Sequence, residues 1–195
     1  MTKILITGSS GFVGYNILEK LIISNTVYAT SRKNITSKHK NLKYIYFKNH
    51  EDLNLKLKKI KVDTIIHCAT HYIKSHNFND VAKIMRANLE FGTVILENLK
   101  IMNVKKFVNF CTVWQNFNST KYDPFNLYSA SKNAFLNILR FYQKNNKDIK
   151  YFNLYISDTF GPNDNRIKLS NILKNNFFKR KKIKIMSKNL AINLI

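Results

Sequence analysis

A glycine-rich segment near the start of the chain restricts the possible folds more than any other feature. It occupies residues 7–14, with the sequence TGSSGFVG, between a run that predicts a β-strand and a pattern that predicts a helix. Gly8 permits a tight turn, Gly11 lets the backbone approach a pyrophosphate, and Gly14 lets the helix pack closely on a sheet. Three of the five glycines in the chain fall at this spacing, which favours a dinucleotide-binding turn over an ordinary strand-to-helix turn.

Short β-rich runs alternate with helical patterns along the rest of the chain. The predicted strands are 3–6, 27–30, 43–47, 64–68, 106–111 and 149–155, and the predicted helices are 12–23, 53–59, 80–102, 128–143 and 167–178. This alternation predicts an α/β fold, a Rossmann-like doubly wound parallel sheet that binds ligands at the carboxyl edge of its strands. A length of 195 residues favours a single domain.

The formal net charge of +22 raises the alternative of a nucleic-acid-binding protein. The lysines are scattered among asparagines and isoleucines, and the densest basic cluster, 179–182, is interpreted as a solvated face. We therefore predict no nucleic-acid partner. Cys68 and Cys111 lie in apolar runs and are expected to be buried thiols, and the histidines show no metal-site spacing, so no metal is predicted.

The chain contains no apolar run near the about 18 to 20 residues that span a bilayer. Its first predicted strand begins at position 3 and no signal-peptide pattern precedes it. We therefore expect a cytoplasmic protein without a membrane span.

A tyrosine and a lysine four residues apart, Tyr128 and Lys132, stand at the start of a predicted helix. This spacing brings two side chains onto one helix face. The ammonium is then expected to lower the phenol pKa from about 10 toward the working pH, so that Tyr128 can donate or accept a proton. Tyr44 and Lys48 have the same spacing, but in a predicted strand they would lie about 13 Å apart.

The end of the second predicted strand bears on the choice of dinucleotide. An acidic residue there accepts hydrogen bonds from the ribose of NAD. This chain has Ser31, Arg32 and Lys33 at that point, and the two cations suit the 2′-phosphate of NADP. NADP is therefore preferred, and NAD stays open because basic residues are frequent throughout the chain.

Several segments together resemble the extended short-chain dehydrogenases/reductases, the epimerase/dehydratase group that contains sugar-nucleotide epimerases, dehydratases and reductases. The resemblance covers essentially the whole chain. The segments that carry it, in family order, are 7–14, the stretch 63–69 (DTIIHCA), Asn88 with Gly92 and Thr93, the pair Tyr128 and Lys132, and Gly161 with Pro162.

The resemblance implies roles for individual residues. Tyr128 would pass the proton, Lys132 would hold the nicotinamide ribose, and Thr112 would position the substrate oxygen. The implied cofactor contacts are Gly8, Ser10, Gly11, Phe12, Val13, Ser31, Arg32, Cys68, Ala69, Asn88, Tyr128 and Lys132. The implied substrate contacts are Trp114, Gln115 and Arg166, with loop packing or a solvated loop charge as the alternatives.

The short stretch 112–115 (TVWQ) resembles the CDP-abequose/CDP-paratose synthase branch of this family. That branch implies NADP-dependent reduction of a 4-keto-deoxyhexose sugar nucleotide, as in the synthesis of lipopolysaccharide precursors. Two alternatives stay open: an NAD-dependent sugar-nucleotide 4-epimerase, and a nonenzymatic dinucleotide-binding fragment or regulator.

The family comparison also implies an incomplete C-terminal part. Residues 1–195 would hold the NAD(P)-binding domain and, from about 162 to 195, the start of a truncated substrate-binding region whose remainder is largely missing. The expected partners are a sugar nucleotide and either a second copy of the chain in a homodimer or a complementing C-terminal polypeptide. The apolar end, 190–195, is expected to be an exposed half-interface, and the isolated chain is expected to turn over poorly.

Overall fold

A six-stranded sheet forms the centre of the structure, a computed structural model that describes residues 1–161, 164, 166, 168–179 and 182. Its strands are β1 Lys3–Thr7, β2 Thr26–Ser31, β3 Leu42–Tyr46, β4 Thr64–His67, β5 Lys106–Thr112 and β6 Lys150–Ile156. The order across the sheet is β3-β2-β1-β4-β5-β6, with parallel pairing from β3 through β5. This is the doubly wound order, whose switch point lies between β1 and β4, so the predicted fold class is confirmed.

Helices connect the strands and cover the sheet. Within the described residues they are α1 Phe12–Leu21, α2 His50–Leu57, α3 Phe78–Met85, α4 Phe91–Glu97, α5 Leu127–Asn145 and α6 Leu169–Phe178. α1 directly follows the glycine-rich turn, and α5 directly follows the loop after β5. Both helices therefore begin at the carboxyl edge of the sheet, where such folds bind ligands.

The helix predicted over 80–102 forms only as far as Glu97, and it is not a single α-helix. A π-helical turn, Arg86–Glu90, separates α3 from α4, and α4 ends at Glu97. The wider turn contains Asn88, whose buried side chain hydrogen-bonds across to α5. A single inserted residue of this kind leaves the apolar pattern on both sides intact, so the sequence pattern did not reveal it.

Apolar clusters pack on both faces of the sheet. Leu5 belongs to the larger cluster, which includes side chains of α2, α4 and α5. Ile6 belongs to the smaller cluster, with Leu18 of α1 and Ile22, which directly follows that helix. Neighbouring residues of a strand point to opposite faces, and the two clusters therefore cover the two sides of β1.

The chain divides into two compact units, Met1–Tyr155 and Ile156–Ile195. The first unit contains the glycine-rich turn and the start of α5. In the second, α6 matches the helix predicted at 167–178. The predicted truncated region from about 162 stays a prediction, and the apolar end 190–195, Pro162 and half of the basic cluster 179–182 lie outside the described residues.

Candidate active site

The glycine-rich turn is fixed by close backbone contacts. Gly8 has a φ of +70°, and a Cβ there would lie 2.6 Å from the Ala69 nitrogen. A Cβ on Gly14 would lie 2.2 Å from the carbonyl oxygen of Gly8. A Cβ on Gly11 would meet that same oxygen at 3.4 Å, an ordinary contact. Two of these glycines are therefore required by the packing of the turn, whereas the backbone at Gly11 stays open to an approaching group.

Gly11, where the backbone is open, lies at the start of α1. Gly11 precedes the first residue of the helix, and its backbone N–H donates to the Gly8 carbonyl oxygen at 3.0 Å. The first turn of α1 contains no acidic residue, so the positive end of the helix dipole is not neutralised there. Ser10 is exposed, and Phe12 and Val13 are half-buried. This arrangement fits a pyrophosphate, while the individual contacts stay predictions.

Thr7, which directly precedes Gly8, forms a buried hydrogen-bonded pair with His67 at the end of β4. The Thr7 hydroxyl lies 3.0 Å from Nδ1 of His67 and accepts a hydrogen bond from the Ala69 nitrogen at 3.2 Å. The His67 ring is 1% exposed and packs against Phe91 and Phe135. Burial lowers the pKa of His67 to about 3, so the ring is neutral at physiological pH. The pair ties the ends of β1 and β4 together at the switch point.

The end of β2 forms a small turn around Ser31. Its hydroxyl accepts a hydrogen bond from the Lys33 nitrogen at 3.0 Å and donates one to the Lys33 carbonyl oxygen at 2.7 Å. Arg32 and Lys33 are exposed. Because β2 is the direct neighbour of β1, these cations lie at the same sheet edge as the glycine-rich turn.

Tyr128 and Lys132 both lie in the first two turns of α5. Asn126 caps this helix, with its side-chain oxygen accepting from the Ser129 nitrogen at 2.9 Å. Lys132 is 4% exposed, and burial lowers its pKa. Burial also raises the pKa of Tyr128 to about 12. This direction is opposite to the lowering of the phenol pKa expected from Lys132, because desolvation is the largest influence on the phenol.

Two residues that the sequence did not single out lie beside Tyr128. The Thr70 side chain opposes the increase in the Tyr128 pKa that burial causes. The ring of Tyr72 meets the Tyr128 ring edge-on at 5.1 Å, and it also lies 5.9 Å from the Trp114 ring. The available signal was positional, because Thr70 follows closely after β4 and so falls at the carboxyl edge of the sheet.

In the segment after β5, the predicted site residues Thr112 and Gln115 form hydrogen bonds that stabilise the local structure. The Thr112 hydroxyl accepts a hydrogen bond from the Trp114 nitrogen at 3.3 Å. The Gln115 side chain is fully buried, accepts from the Thr112 nitrogen at 2.9 Å and donates to Asn133 at 2.8 Å. The predicted substrate contact of Gln115 stays a prediction, and the bonds of its amide argue against it. Trp114 is half-buried, with its ring against that of Tyr72.

Both thiols are free. Cys111 is buried and Cys68 is half-buried, and burial raises their pKa values to about 11 and about 12. They are therefore protonated at neutral pH and chemically quiet. Across the described residues no group of three or more metal-ligating side chains could hold a metal ion. Over the same residues no helix has the length and apolarity to cross a membrane.

Arg166 belongs to the second unit. Its guanidinium binds Asp164 at 2.6 Å and the Thr159 carbonyl oxygen at 2.7 Å, and it lowers the pKa of the Asp164 carboxyl. The guanidinium thus has intramolecular partners inside its own unit, and the substrate contact predicted for it stays a prediction.

The chain matches a family model and several known proteins over most of its length. The model of the NAD dependent epimerase/dehydratase family matches residues 4–191. CDP-abequose synthase of Yersinia pseudotuberculosis is 26% identical over 99% of this chain and 68% of its own length. ADP-L-glycero-D-manno-heptose-6-epimerase of Brachyspira hyodysenteriae is 31% identical over 83% of this chain and 56% of its own length.

Solved structures share the fold. UDP-glucuronic acid 4-epimerase from Bacillus cereus, in complex with UDP-glucuronic acid and NAD, has a TM-score of 0.76 at 18% identity, covering 92% of this chain and 64% of that one. WbmG from Bordetella bronchiseptica, in complex with NAD, has a TM-score of 0.78 at 19% identity, covering 93% of this chain and 61% of that one. The chain spans little more than half the length of most of the curated relatives it matches.

Proposed function

The chain belongs to the NAD-dependent epimerase/dehydratase family, and from this premise we propose that it carries the cofactor and proton-transfer part of an NADP-dependent reductase acting on a 4-keto-deoxyhexose sugar nucleotide. The observation that carries the proposal is the position of Tyr128. Its hydroxyl lies at the carboxyl edge of the sheet, at the start of α5, with the buried Lys132 one helical turn further along. The similarity to CDP-abequose synthases supports the substrate class.

A reduction needs a proton donor at the carbonyl oxygen. Burial raises the pKa of Tyr128 to about 12, so the phenol is protonated at neutral pH, which is the form that starts a reduction. Donation from the Tyr128 hydroxyl would leave a phenolate, and the Lys132 ammonium on the same helix face would stabilise it. Thr112, the last residue of β5, is the proposed contact for the substrate oxygen.

The cofactor would lie along the edge between β2 and β4. The dinucleotide supplies the hydride when it is bound. The proposed pyrophosphate contacts are the backbone of Gly8 and Gly11 and the first turn of α1, where the open backbone at Gly11 fits such a group. Arg32 would bind the 2′-phosphate of NADP. We also propose the other predicted cofactor contacts, among them Ser31, Cys68, Ala69 and Asn88.

A second candidate is an NAD-dependent sugar-nucleotide 4-epimerase. The solved structures of similar fold that are epimerases, and those in complex with NAD, favour it. The similarity to CDP-abequose synthases, and the absence of an acidic residue at the end of β2, favour the reductase as the first candidate.

The test is incubation of the purified chain with NADPH or NADH and a panel of 4-keto and 4-hydroxy sugar nucleotides. We expect slow NADPH oxidation with a 4-keto substrate, in line with the poor turnover expected of the isolated chain, and a further fall of at least about a hundredfold in Tyr128→Phe, the scale of losing a general acid. Tyr44→Phe, in the strand β3, is the matched control and should retain turnover.

Other outcomes identify the alternatives. Conversion of a 4-hydroxy substrate without net use of cofactor would support the epimerase. Cofactor binding with no turnover on any substrate would support a nonenzymatic fragment or regulator, or the need for a complementing C-terminal polypeptide. Near-normal turnover in Tyr128→Phe would remove Tyr128 from the chemistry.

A further inference from the structure

The proposed catalytic residues belong to two different elements of the fold. Thr112 is the last residue of β5, whereas Tyr128 and Lys132 lie in the first two turns of α5. Thr112 and Tyr128 are proposed to meet the same substrate oxygen, so their hydroxyls need a fixed separation. A misplacement of about 1 Å in such an arrangement costs roughly a hundredfold in rate. The site therefore needs a connection between the end of β5 and α5.

The side-chain amide of Gln115 makes this connection. Its Oε1 accepts a hydrogen bond from the Thr112 nitrogen at 2.9 Å, and its Nε2 donates one to Oδ1 of Asn133 at 2.8 Å. Asn133 directly follows Lys132 in α5, and its Nδ2 donates to the Gln115 carbonyl oxygen at 3.1 Å. The two amides thus bond in both directions between residues 18 positions apart, and they tie the end of β5 to the helix that carries the catalytic pair.

Burial makes this connection directional. Gln115 is 0% exposed and Asn133 is half-buried. A buried amide that turned away from its partners would leave polar atoms without hydrogen bonds, and this costs more than an exposed amide would lose. The Gln115 side chain is therefore held in one orientation, with one end at Thr112 and the other at Asn133.

The same turn determines where the Thr112 hydroxyl lies. Its oxygen accepts a hydrogen bond from the Trp114 nitrogen at 3.3 Å. A threonine hydroxyl has one proton to donate and two acceptor sites. Within the part of the chain that the structure describes, no group accepts this proton. The proton is thus available to a substrate oxygen, and Gln115 fixes the turn that presents it.

We propose that Gln115 and Asn133 are positioning residues: their amide pair holds the Thr112 hydroxyl in register with Tyr128 and Lys132. In this role neither amide contacts the substrate, and no covalent bond changes in either side chain. The effect on catalysis rests on the proposed function, whereas the link between β5 and α5 does not.

The first experiment needs no turnover and uses the backbone amide of Thr112. Its hydrogen exchange is followed by NMR in Asn133→Ala, a change that suits a helix and removes the link to Gln115. We expect exchange at Thr112 to rise about fivefold relative to the amides of β1, the scale of one lost hydrogen bond. A loss of global stability alone would raise the exchange of both regions together.

Asn137→Ala is the matched control for this experiment. It makes the same change one turn later in α5, at an exposed residue whose side chain accepts from Arg140 of the same helix. It should leave the ratio of exchange at Thr112 to exchange in β1 unchanged.

The second experiment is a double-mutant cycle in urea denaturation midpoints. Gln115→Met keeps an unbranched side chain without the amide, and it is combined with Asn133→Ala. Both single changes break the same hydrogen bonds, so their midpoint shifts should be clearly less than additive. The shifts of Gln115→Met and Asn137→Ala should add.

The third experiment measures turnover with NADPH and a 4-keto substrate. Asn133→Ala should lower kcat about tenfold with little change in KM, because the helix stays bound to its neighbours but loses its register with Thr112. Asn137→Ala should retain the kcat of the unmodified chain. A raised KM with an unchanged kcat would mean that the amides contact the substrate, and it would overturn the inference.

The three experiments separate this inference from the proposed function. Faster exchange at Thr112 and non-additive midpoints, without turnover on any substrate, would count against the reductase and support the link. Additive midpoints, or equal exchange ratios in Asn133→Ala and Asn137→Ala, would overturn the inference whether or not the chain is active. An active Asn133→Ala chain with an unchanged kcat would also overturn it.

Discussion

The glycine-rich turn and the surroundings of Tyr128 lie at the same edge of one sheet but are specified in different ways. The turn is specified by backbone clearances within residues 7–14, with Ala69 as the outside neighbour. The position of Tyr128 depends on side chains from three separate segments: the loop after β4, the π-helical turn and α5 itself. One end of the site is therefore encoded locally, and the other is assembled by tertiary packing.

The strongest test of this contrast is Gly14→Ala. The new Cβ would lie 2.2 Å from a backbone oxygen that cannot move without opening the turn, so we expect the free energy of unfolding to fall by about 3 kcal/mol or more. Gly11→Ala is the matched control, with its Cβ at 3.4 Å from the same oxygen, and should cost under about 1 kcal/mol. Urea denaturation followed by circular dichroism measures both. Equal losses would show that backbone clearance does not specify the turn.

A second test uses the histidine behind the turn. The folded-state pKa of His67 is lowered to about 3 from 6.5, so between these values the unfolded chain binds a proton that the folded chain does not. The His67 contribution to stability is thus complete above about pH 6.5 and is lost as the pH falls toward 3, by up to about 1.4 kcal/mol per pH unit.

His67→Phe should flatten this acid dependence, since a phenyl ring does not titrate. The exposed His76 provides the control, and His76→Asn should leave the slope unchanged. The measurement is the free energy of unfolding at several pH values between 7 and 4. If the slope of His67→Phe matched that of the unmodified chain, other groups would dominate the acid response.

The smallest expected effect concerns the charge at the end of β2. Arg32→Asp should weaken NADP binding about tenfold or more, the scale of one charge-assisted hydrogen bond, and leave NAD binding nearly unchanged. Lys38→Asp makes the same charge change on another exposed residue of the loop that follows β2 and should have little effect. Isothermal titration calorimetry with both dinucleotides measures the difference. Equal weakening of the two would contradict the assignment of Arg32.

The sequence predicted the parts of this structure that depend on local patterns. The alternation of strands and helices predicted the doubly wound sheet, because apolar periodicity and the requirement for glycine at Gly8 are properties of short segments. The hydrogen bonds from Thr70 to Asn88 and from Asn88 to Ser131 were not predicted, because they join residues that only the folded sheet brings together. The spacing of Tyr128 and Lys132 predicted their shared helix face but not their burial, and burial determined the direction of the tyrosine pKa.

The aromatic contacts of Trp114 give this site a built-in optical reporter. The chain contains one tryptophan, and its ring lies 5.9 Å from Tyr72, which touches Tyr128. Its emission therefore reports on the surroundings of Tyr72 and Tyr128. Reduced nicotinamides absorb where tryptophan emits, so energy transfer from Trp114 would record the arrival of a reduced dinucleotide. Stopped-flow fluorescence could then time cofactor binding on an unlabelled chain.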